Sequence, residues 1–225
     1  MNNSEFYSNV VPQDVGEEIS SLINTAINLA WSNLVCSMQQ SQDCLIPDFG
    51  FHGKYPDYGI PMNRHLYMLK YFPAYLYEYT KMYQEIFRRA VKRGIANLSV
   101  LSFGCGCGLD FYGLYFARKI CDTADIAISY KGIDLVDWDY RDLVSIQNNF
   151  QPTFSNYDVA KITNNYLEGY NVLVFPKSLS DFSDESFKSL CDNVHRSRFT
   201  LPLFLAASTA DGATDRQRAR CERCR

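Results

Sequence analysis

Apolar residues recur every three or four positions in two segments of the amino-terminal half of the chain. In residues 15–38 they follow one helical face, behind an acidic capping position at Asp14. The same spacing returns in residues 74–93, where Pro73 precedes the segment and Gly94 follows it as start and stop signals. The pattern therefore predicts two long amphipathic helices.

The segment between these helices breaks every regular pattern. Residues 39–63 contain three prolines and three glycines, which favour turns over helix or strand. We interpret the segment as a long loop, and long loops often carry function. Residues 1–96 as a whole are predicted to form a helical amino-terminal extension.

From residue 97 onward, short apolar runs alternate with helical segments. The predicted strands are 98–103, 127–135, 172–175 and 199–207, and the predicted helices are 109–120, 138–149 and 184–194. This alternation is typical of a parallel sheet with helices on both faces. The predicted fold class is therefore α/β, with a mostly parallel sheet in residues 97–207 behind the helical extension. The polar residues 208–225 are expected to form a disordered tail.

The composition is that of a folded, soluble protein. The 225 residues are 47% hydrophobic and 21% charged, and the net charge is −3. No apolar run approaches the roughly 20 residues that cross a bilayer, so we expect a cytoplasmic protein that binds no membrane. The eight cysteines, Cys191 among them, are interpreted as reduced thiols. The lone pair Cys221 and Cys224 is too small a set for a zinc site, and no metal ion is expected.

Three glycines at alternate positions follow the first predicted strand. The turn reads Gly104-Cys105-Gly106-Cys107-Gly108 and leads directly into a helix. Glycine tolerates positive φ and lets a backbone approach a ligand, and a helix N-terminus offers unpaired N–H groups. The spacing differs from the GxGxxG fingerprint and lacks the lysine of a P-loop. The turn predicts a small polar ligand; the alternative is a plain connection between strand and helix.

An acidic residue, Asp134, stands at the end of the second predicted strand. Because neighbouring parallel strands share one carboxyl edge, its carboxylate is expected in the same crevice as the glycine turn. Two carboxylate oxygens can accept both hydroxyls of a ribose, so the pair indicates a nucleoside ligand. The alternative is a capping or surface acid, since Asp137 and Asp139 lie close by in the sequence.

Together these features resemble the class I S-adenosylmethionine-dependent methyltransferases over about residues 98–193. The shared elements are the strand–GxGxG–helix unit, the acid that ends the second strand, and the later strand that runs into Pro176 and Lys177. The resemblance implies a Rossmann-like fold, S-adenosylmethionine as cofactor, and methyl transfer as the activity.

The resemblance also implies roles for individual residues. The residues implied to bind the cofactor are Gly104, Cys105, Gly106, Gly108, Asp134, Leu135 and Asp158. The glycine turn would line the methionine part and Asp134 would hold the ribose. Leu135 would pack on the adenine, and Asp158 would contact the adenine amino group. For Asp158 a structural capping role is an equal alternative.

At the end of the predicted strand 172–175, Phe175, Pro176 and Lys177 would face the methyl group, as the resemblance implies. The Asn/Asp-Pro-Pro-Tyr sequence of amino-methylating members is absent there, which disfavours a base or amide nitrogen as acceptor. No catalytic residue is assigned, because displacement at a sulfonium methyl depends largely on orientation. The acceptor stays open among small molecules, proteins and RNA.

The chain departs from the family two residues before the first glycine, where Ser102 replaces the usual acid. The role of that acid could pass to Ser102 or to Asp110. Two other functions stay open. One is a non-catalytic binding or partner protein that keeps the methyltransferase fold, and the other is a nucleotide-dependent oxidoreductase.

The second helix is rich in aromatic and basic residues. Tyrosines and phenylalanines at helical spacing in residues 67–87 are usually core packing, although they could line a substrate pocket. Seven basic residues stand against two acidic ones in residues 64–93. Such a run is usually a solvated helix face, with an anionic substrate or RNA as the alternative.

The predicted sheet is shorter than that of the family, which closes with an antiparallel hairpin. We expect about five strands, the fifth forming an uncovered edge. An open apolar edge invites pairing with another chain. The sequence therefore predicts self-association through this edge.

Overall fold

The structure is a computed structural model of the chain. It describes residues 11–41, 56–143, 151–178, 182–197, 199 and 204–208. The helices are α1 (Gln13–Ser41), α2 (Pro61–Lys92), α3 (Leu109–Ile120), α4 (Asn164–Leu167) and α5 (Asp184–Arg196), with a 3₁₀ turn at Val159–Lys161. The strands are β1 (Asn97–Phe103), β2 (Ala127–Asp134), β3 (Thr153–Asn156), β4 (Val172–Pro176) and β5 (Phe204–Ser208).

The strands form one parallel sheet in the order β3-β2-β1-β4-β5. In the centre, Val100 of β1 pairs with Tyr130 of β2 on one side and Val172 of β4 on the other. The chain order reverses between β1 and β4, and ligands of open α/β sheets bind outside the strand ends at such a switch point. The predicted α/β, Rossmann-like fold class is confirmed, and self-association through an edge strand stays a prediction.

Successive residues of each central strand face opposite sides of the sheet. Val100, Val172 and Val174 lie in a core shared with α1, α2 and α3. Leu101 and Leu173 lie in a second core with α4 and α5. The amino-terminal helices therefore share one hydrophobic core with the sheet.

The second helix begins earlier than the sequence pattern predicted. It starts at Pro61, and Pro73 lies inside it. The prediction from Ala74 was wrong because Pro61 takes the first helical position, which suits proline. Buried Met68 and Phe72 continue the helical spacing of the later residues. Of the predicted loop 39–63, residues 42–55 lie outside the described part of the chain.

Two other segments differ from the sequence prediction. Residues 138–143 form turns instead of the predicted helix, since Trp138 and Tyr140 are both buried at a spacing of two, which is not a helical repeat. Residues 144–149 lie outside the described part. The last described strand is β5 (Phe204–Ser208), and residue 199, where the sequence predicted its start, is not in a strand. Residues 200–203, and residues 209–225 of the predicted tail, lie outside the described part.

Among the residues that the structure describes, four cysteines have free thiols, namely Cys36, Cys105, Cys107 and Cys121. Cys191, interpreted above as a reduced thiol, is disulfide-bonded. That interpretation was wrong because scattered positions in a sequence do not reveal which thiols meet in space. Among the described helices, none is both long enough and apolar enough to cross a membrane.

Candidate functional site

The backbone of the turn after β1 requires its glycines. Gly104, Gly106 and Gly108 have φ values of 64°, 55° and 77°, a left-handed conformation in which a Cβ is costly. Gly108 is also the N-cap of α3. The turn is thus as tight as its sequence predicted.

Three successive N–H groups of this turn bond to the end of β2. Gly104 and Cys105 donate to the carbonyl of Ile133 at 2.8 and 3.1 Å. Gly106 donates to the Asp134 carboxylate at 2.8 Å. Phosphate-binding turns instead aim several N–H groups at the anion. This turn is therefore built around a neighbouring strand end rather than around a phosphate.

Protein side chains already fill the space beside two of the glycines. A Cβ on Gly104 would lie 2.6 Å from the Cβ of Ser178, and one on Gly108 would lie 2.6 Å from the ring of Phe154. Close approach at these positions lets the turn pack against Ser178, which follows β4, and against Phe154 of β3. Packing within the protein accounts for two of the glycines, and a ligand at the turn stays a prediction.

Gly106 is covered by an aromatic ring instead. A Cβ there would lie 3.5 Å from the indole of Trp138, an ordinary contact distance. Trp138 is 6% exposed, and its indole N–H interacts with the Asp134 carboxylate closely enough to lower the pKa of that group. The two residues that follow it, an aspartate and a tyrosine, are held by Arg64 and His65 of α2. These contacts fix Trp138 above the middle of the turn.

The Asp134 carboxylate joins the turn to the end of β2. One oxygen accepts from the N–H of Gly106 at 2.8 Å and the other from the N–H of Val136 at 2.9 Å. An ionised carboxylate has about four lone-pair sites, so it can accept two further hydrogen bonds. Burial raises the pKa of Asp134, while these N–H donors and the nearby Arg141 act in the opposite direction.

Arg141 is a residue of this region that sequence analysis missed. Its guanidinium donates to the carbonyls of Gly106 (3.2 Å) and Val136 (3.1 Å) and to the side-chain oxygen of Asn156 (3.2 Å). It also lies 5.1 Å from the ring centre of Phe154. Arg141 therefore ties together the segments that follow β1, β2 and β3. No motif marks it, because its contacts exist only in the folded chain.

The two residues predicted to contact an adenine lie in different settings. Leu135 is 73% exposed directly after β2, an unusual position for a large apolar side chain. Asp158 caps the 3₁₀ turn by accepting from the N–H of Ala160 at 2.9 Å. The capping role accounts for Asp158, and contact with a ligand stays a prediction for both residues.

The three residues predicted to face the substrate, Phe175, Pro176 and Lys177, have different surroundings at the end of β4. Phe175 is buried and stacks on Phe103 with ring centres 4.8 Å apart, so its ring belongs to the core on the α5 side. Pro176 ends the strand. Lys177 has a φ of 60°, a left-handed value that is rare outside glycine. Its Nζ lies 2.6 Å from the Glu78 carboxylate.

A row of aromatic rings, here called the aromatic wall, runs along α2 beside these strand ends. It consists of Tyr58, Tyr67, Tyr71, Tyr75 and Trp138. The four tyrosines are partly buried and the tryptophan is buried. Sequence analysis favoured core packing for the tyrosines of this helix. That holds for Tyr79 and Tyr83, which are fully buried, but the wall tyrosines keep part of their surface exposed.

Neither candidate for the missing acid reaches an open position. Ser102 and Asp110 are both fully buried. The Asp110 carboxylate accepts from the hydroxyls of Tyr83 (3.1 Å) and Tyr130 (2.9 Å). Burial raises the pKa of Asp110 to about 6, although hydrogen bonds from neighbouring hydroxyls lower it. The suggestion that Asp110 could contact a ligand was wrong, because its side chain lies between α2 and β2.

The thiols of the turn are buried and protonated at neutral pH. Burial raises the pKa of Cys105 well above its ordinary value and that of Cys107 to about 12. Thiolates are the reactive and metal-binding form, so neither group is a nucleophile here. Within the described residues, no three His, Cys, Asp or Glu side chains cluster as metal ligands would.

No protein-family model and no curated protein matches this chain. It is similar to the solved structure of the plantazolicin methyltransferase BpumL in complex with SAH, at 13% identity and a TM-score of 0.46. The match covers 93% of this chain and 71% of that one. A putative S-adenosyl-L-methionine-dependent methyltransferase from Methanococcus maripaludis matches at 14% identity and a TM-score of 0.41, over 75% and 72% of the two chains.

A third similar structure concerns the conversion of a disulfide bond into a thioacetal group during echinomycin biosynthesis. It matches at 19% identity and a TM-score of 0.33, over 50% of this chain and 44% of that one. These similarities agree with the fold read from the sheet, but they are too weak to carry a functional argument. The α/β fold class therefore rests on the order and the parallel direction of the strands in the sheet.

Proposed function

We propose that the chain binds S-adenosylmethionine and transfers its methyl group to an acceptor. The observation that carries this proposal is the bond from the Gly106 N–H to the Asp134 carboxylate, 2.8 Å long, at the switch point of the sheet. It joins a glycine turn and a strand-end acid in one crevice. The acid retains capacity for two further hydrogen bonds, which the two hydroxyls of a ribose would use.

The hydrogen-bond partners of the N–H groups in the turn distinguish between the candidate ligands. NAD and ATP carry phosphates, which need N–H groups aimed at them. The N–H groups of Gly104, Cys105 and Gly106 already bond to Ile133 and Asp134. A nucleoside cofactor without phosphate fits this arrangement better than a nucleotide. The oxidoreductase alternative is correspondingly weaker.

The residues fit the cofactor as follows. Asp134 would hold the ribose hydroxyls, and the exposed Leu135 would cover one face of the adenine, with Asp158 near the adenine amino group. The glycine turn would line the methionine part. When bound, the cofactor supplies an electrophilic methyl group, and the protein must exclude water and orient the acceptor. The buried indole of Trp138, which lies over Gly106, is suited to excluding water there.

Calorimetry with four ligands tests the proposal. We expect S-adenosylmethionine and its demethylated product to bind, and NAD and ATP to bind far more weakly. Asp134→Ala should weaken cofactor binding by about 1.5–3 kcal/mol per lost charge-assisted hydrogen bond. Asp125→Ala is the matched control, because Asp125 is exposed just before the other end of β2. Equal affinity of the two variants would remove Asp134 from the site.

A product assay then separates catalysis from binding alone. The purified chain is incubated with methyl-labelled cofactor and cell extract, and labelled products are counted. Product that disappears in Asp134→Ala supports methyl transfer. Cofactor binding without any labelled product would favour a non-catalytic binding protein that keeps the fold.

A further inference from the structure

We propose that the aromatic wall binds the methyl acceptor, and that this acceptor is a planar aromatic molecule with an ionisable hydroxyl, a phenol. The inference rests on the proposed function, since it names the acceptor of that reaction. Its basis is a continuous row of ring contacts that begins at the glycine turn and ends at the lysine after β4.

The wall spans the gap between the two strand ends. Trp138 covers Gly106, and its ring centre lies 5.2 Å from that of Tyr67. The contacts continue from Tyr67 to Tyr71 at 5.2 Å and from Tyr71 to Tyr75 at 4.9 Å. Each step is within the range of direct ring packing. A flat ligand on this row would therefore lie along the crevice in which the methyl group is expected.

The spacing of the tyrosines places them on one side of α2. Tyr67, Tyr71 and Tyr75 follow one another at intervals of four, so they share a helix face. Tyr71 and Tyr75 stack with their planes only 13° apart, which is the arrangement that another flat ring can extend. Tyr77 is 64% exposed and lies off this face. A planar ring, rather than a flexible chain, matches such a surface.

Lys177 supplies a positive charge at the far end of the wall. Its Nζ lies 4.6 Å from the ring centre of Tyr75 and 2.6 Å from Glu78, and its side chain is only 15% exposed. The left-handed φ of this residue is costly for a side chain other than glycine. An ammonium has three N–H donors, so it can hold Glu78 and an acceptor oxygen together.

The charges select a phenol over other aromatic acceptors. An amine would meet the like charge of Lys177. A phenol gains stacking energy along the tyrosines, and its oxyanion gains the ammonium as a partner. Lys177 thus acts as a group that binds and stabilises the acceptor oxygen.

The chemistry balances without a further reactant. The phenol O–H bond breaks and its proton passes to solvent. An oxyanion lone pair then forms the new O–CH₃ bond, while the electrons of the old S–CH₃ bond remain on sulfur. Lys177 stays protonated throughout, so it stabilises the negative charge of the oxyanion and takes no part in the proton transfer.

Binding of 4-nitrophenol tests the wall directly, because its ionised form has a different absorption spectrum. Titrations are made on the full chain saturated with S-adenosylhomocysteine. Tyr71→Ala should weaken binding about three- to tenfold, the worth of one ring contact. Tyr77→Ala, on the same helix but off the wall, should bind as the wild type does. Tyr71→Leu keeps most of the volume without the flat ring and replaces Tyr71→Ala if that variant does not fold.

A comparison of 4-nitrophenol with nitrobenzene separates the contribution of ring stacking from that of the Lys177 charge. Bound 4-nitrophenol should be more ionised than free 4-nitrophenol at the same pH, and Lys177→Met should remove this difference. Lys188→Met, on exposed α5, should leave it in place. Nitrobenzene has no hydroxyl, so Tyr71→Ala should weaken its binding while Lys177→Met should not.

Two different results would overturn different proposals. If S-adenosylhomocysteine does not bind, the proposed function fails, whereas the wall is still tested by the same titrations without it. The proposed acceptor site is wrong if S-adenosylhomocysteine binds but 4-nitrophenol does not. It is also wrong if Tyr77→Ala weakens the binding of 4-nitrophenol as much as Tyr71→Ala does. Unchanged ionisation in Lys177→Met would remove the oxyanion role.

Discussion

The two faces of the sheet are covered in different ways. On the face under α2 and α3, a carboxylate is buried between two tyrosine hydroxyls, those of Tyr83 and Tyr130 around Asp110. On the face under α4 and α5, Phe103 stacks on Phe175 among aliphatic side chains. Buried polar groups need their partners, so the first face depends on a specific hydrogen-bond network, whereas the second depends mainly on apolar packing.

The difference follows from the use of one long helix. The carboxyl-terminal half of α2 contributes Tyr83 to the buried network, while its amino-terminal half carries the aromatic wall to the strand ends. α4 and α5 have only 4 and 13 residues. We infer that the α2 side builds the site and the α5 side supports the sheet from behind.

The largest expected effect on the free energy of unfolding comes from a cavity in the core on the side of α4 and α5. Phe103→Ala should lower the free energy of unfolding by about 3–5 kcal/mol, because it removes a fully buried ring and leaves a cavity beside Phe175. Urea unfolding followed by circular dichroism measures the loss. Phe103→Leu, which keeps most of the volume, should cost less than about 1.5 kcal/mol. Equal losses in both variants would show that this face does not depend on close packing.

The polar face predicts a dependence on pH instead. The pKa of Asp110 is raised to about 6 by burial, so between about pH 4 and pH 6 the folded chain holds a proton that the unfolded chain has lost. Its contribution to stability is therefore present below pH 4 and is lost as the pH rises to 6. Above that, the buried charge costs on the order of 2–3 kcal/mol.

Asp110→Asn isolates this contribution. The asparagine is neutral at every pH and keeps an acceptor for one tyrosine hydroxyl. The free energy of unfolding of the variant, relative to wild type, should rise by about 2–3 kcal/mol from pH 4 to pH 7. Other groups, Asp134 included, titrate in both proteins and cancel in the difference. Parallel pH profiles would show that Asp110 is not the buried charge of this face.

Helix packing on the polar face depends on a further glycine. A Cβ on Gly113 of α3 would lie 2.8 Å from the backbone carbon of Tyr79 in α2. Gly113→Ala should therefore push the helices apart and cost about 1–3 kcal/mol. Gly16→Ala is the matched control, since that site in α1 is open and alanine should stabilise it by about 0.5–1 kcal/mol. Thermal unfolding of the two variants should move in opposite directions.

The features that could be predicted from the sequence are those that adjacent residues determine. The glycine turn, Asp134 and the strand–helix alternation are signals carried by adjacent residues, and the structure places the turn and the acid in contact. Pro73 misled because proline reads as a start signal, while the true start lay at Pro61. Cys191 misled because the pairing of thiols is a long-range property.

The rest of the site could not be predicted, because it depends on contacts between distant segments. Arg141 meets Gly106, 35 residues away, and Lys177 meets Glu78 across the fold. The aromatic wall looked like core packing, since helical spacing shows which residues share a face but not where that face ends. Tyr79 is fully buried, while Tyr71 keeps part of its surface exposed.

The smallest expected effect concerns Arg141. Its hydrogen bonds join the segments of the candidate site to one another, so its replacement tests the site apart from the packing of the two faces. Arg141→Lys should weaken binding of S-adenosylhomocysteine about three- to tenfold, since a compact ammonium on a flexible stem cannot reproduce the planar fork with which the guanidinium reaches Gly106, Val136 and Asn156. Stability should fall by no more than about 1 kcal/mol, because the positive charge is kept and no core residue changes. Arg89→Lys, at an exposed ion pair with Glu85, should change neither quantity. Calorimetry gives the affinity and urea unfolding gives the stability of each variant. A large loss of stability with unchanged affinity would make Arg141 part of the fold rather than a positioning residue of the site.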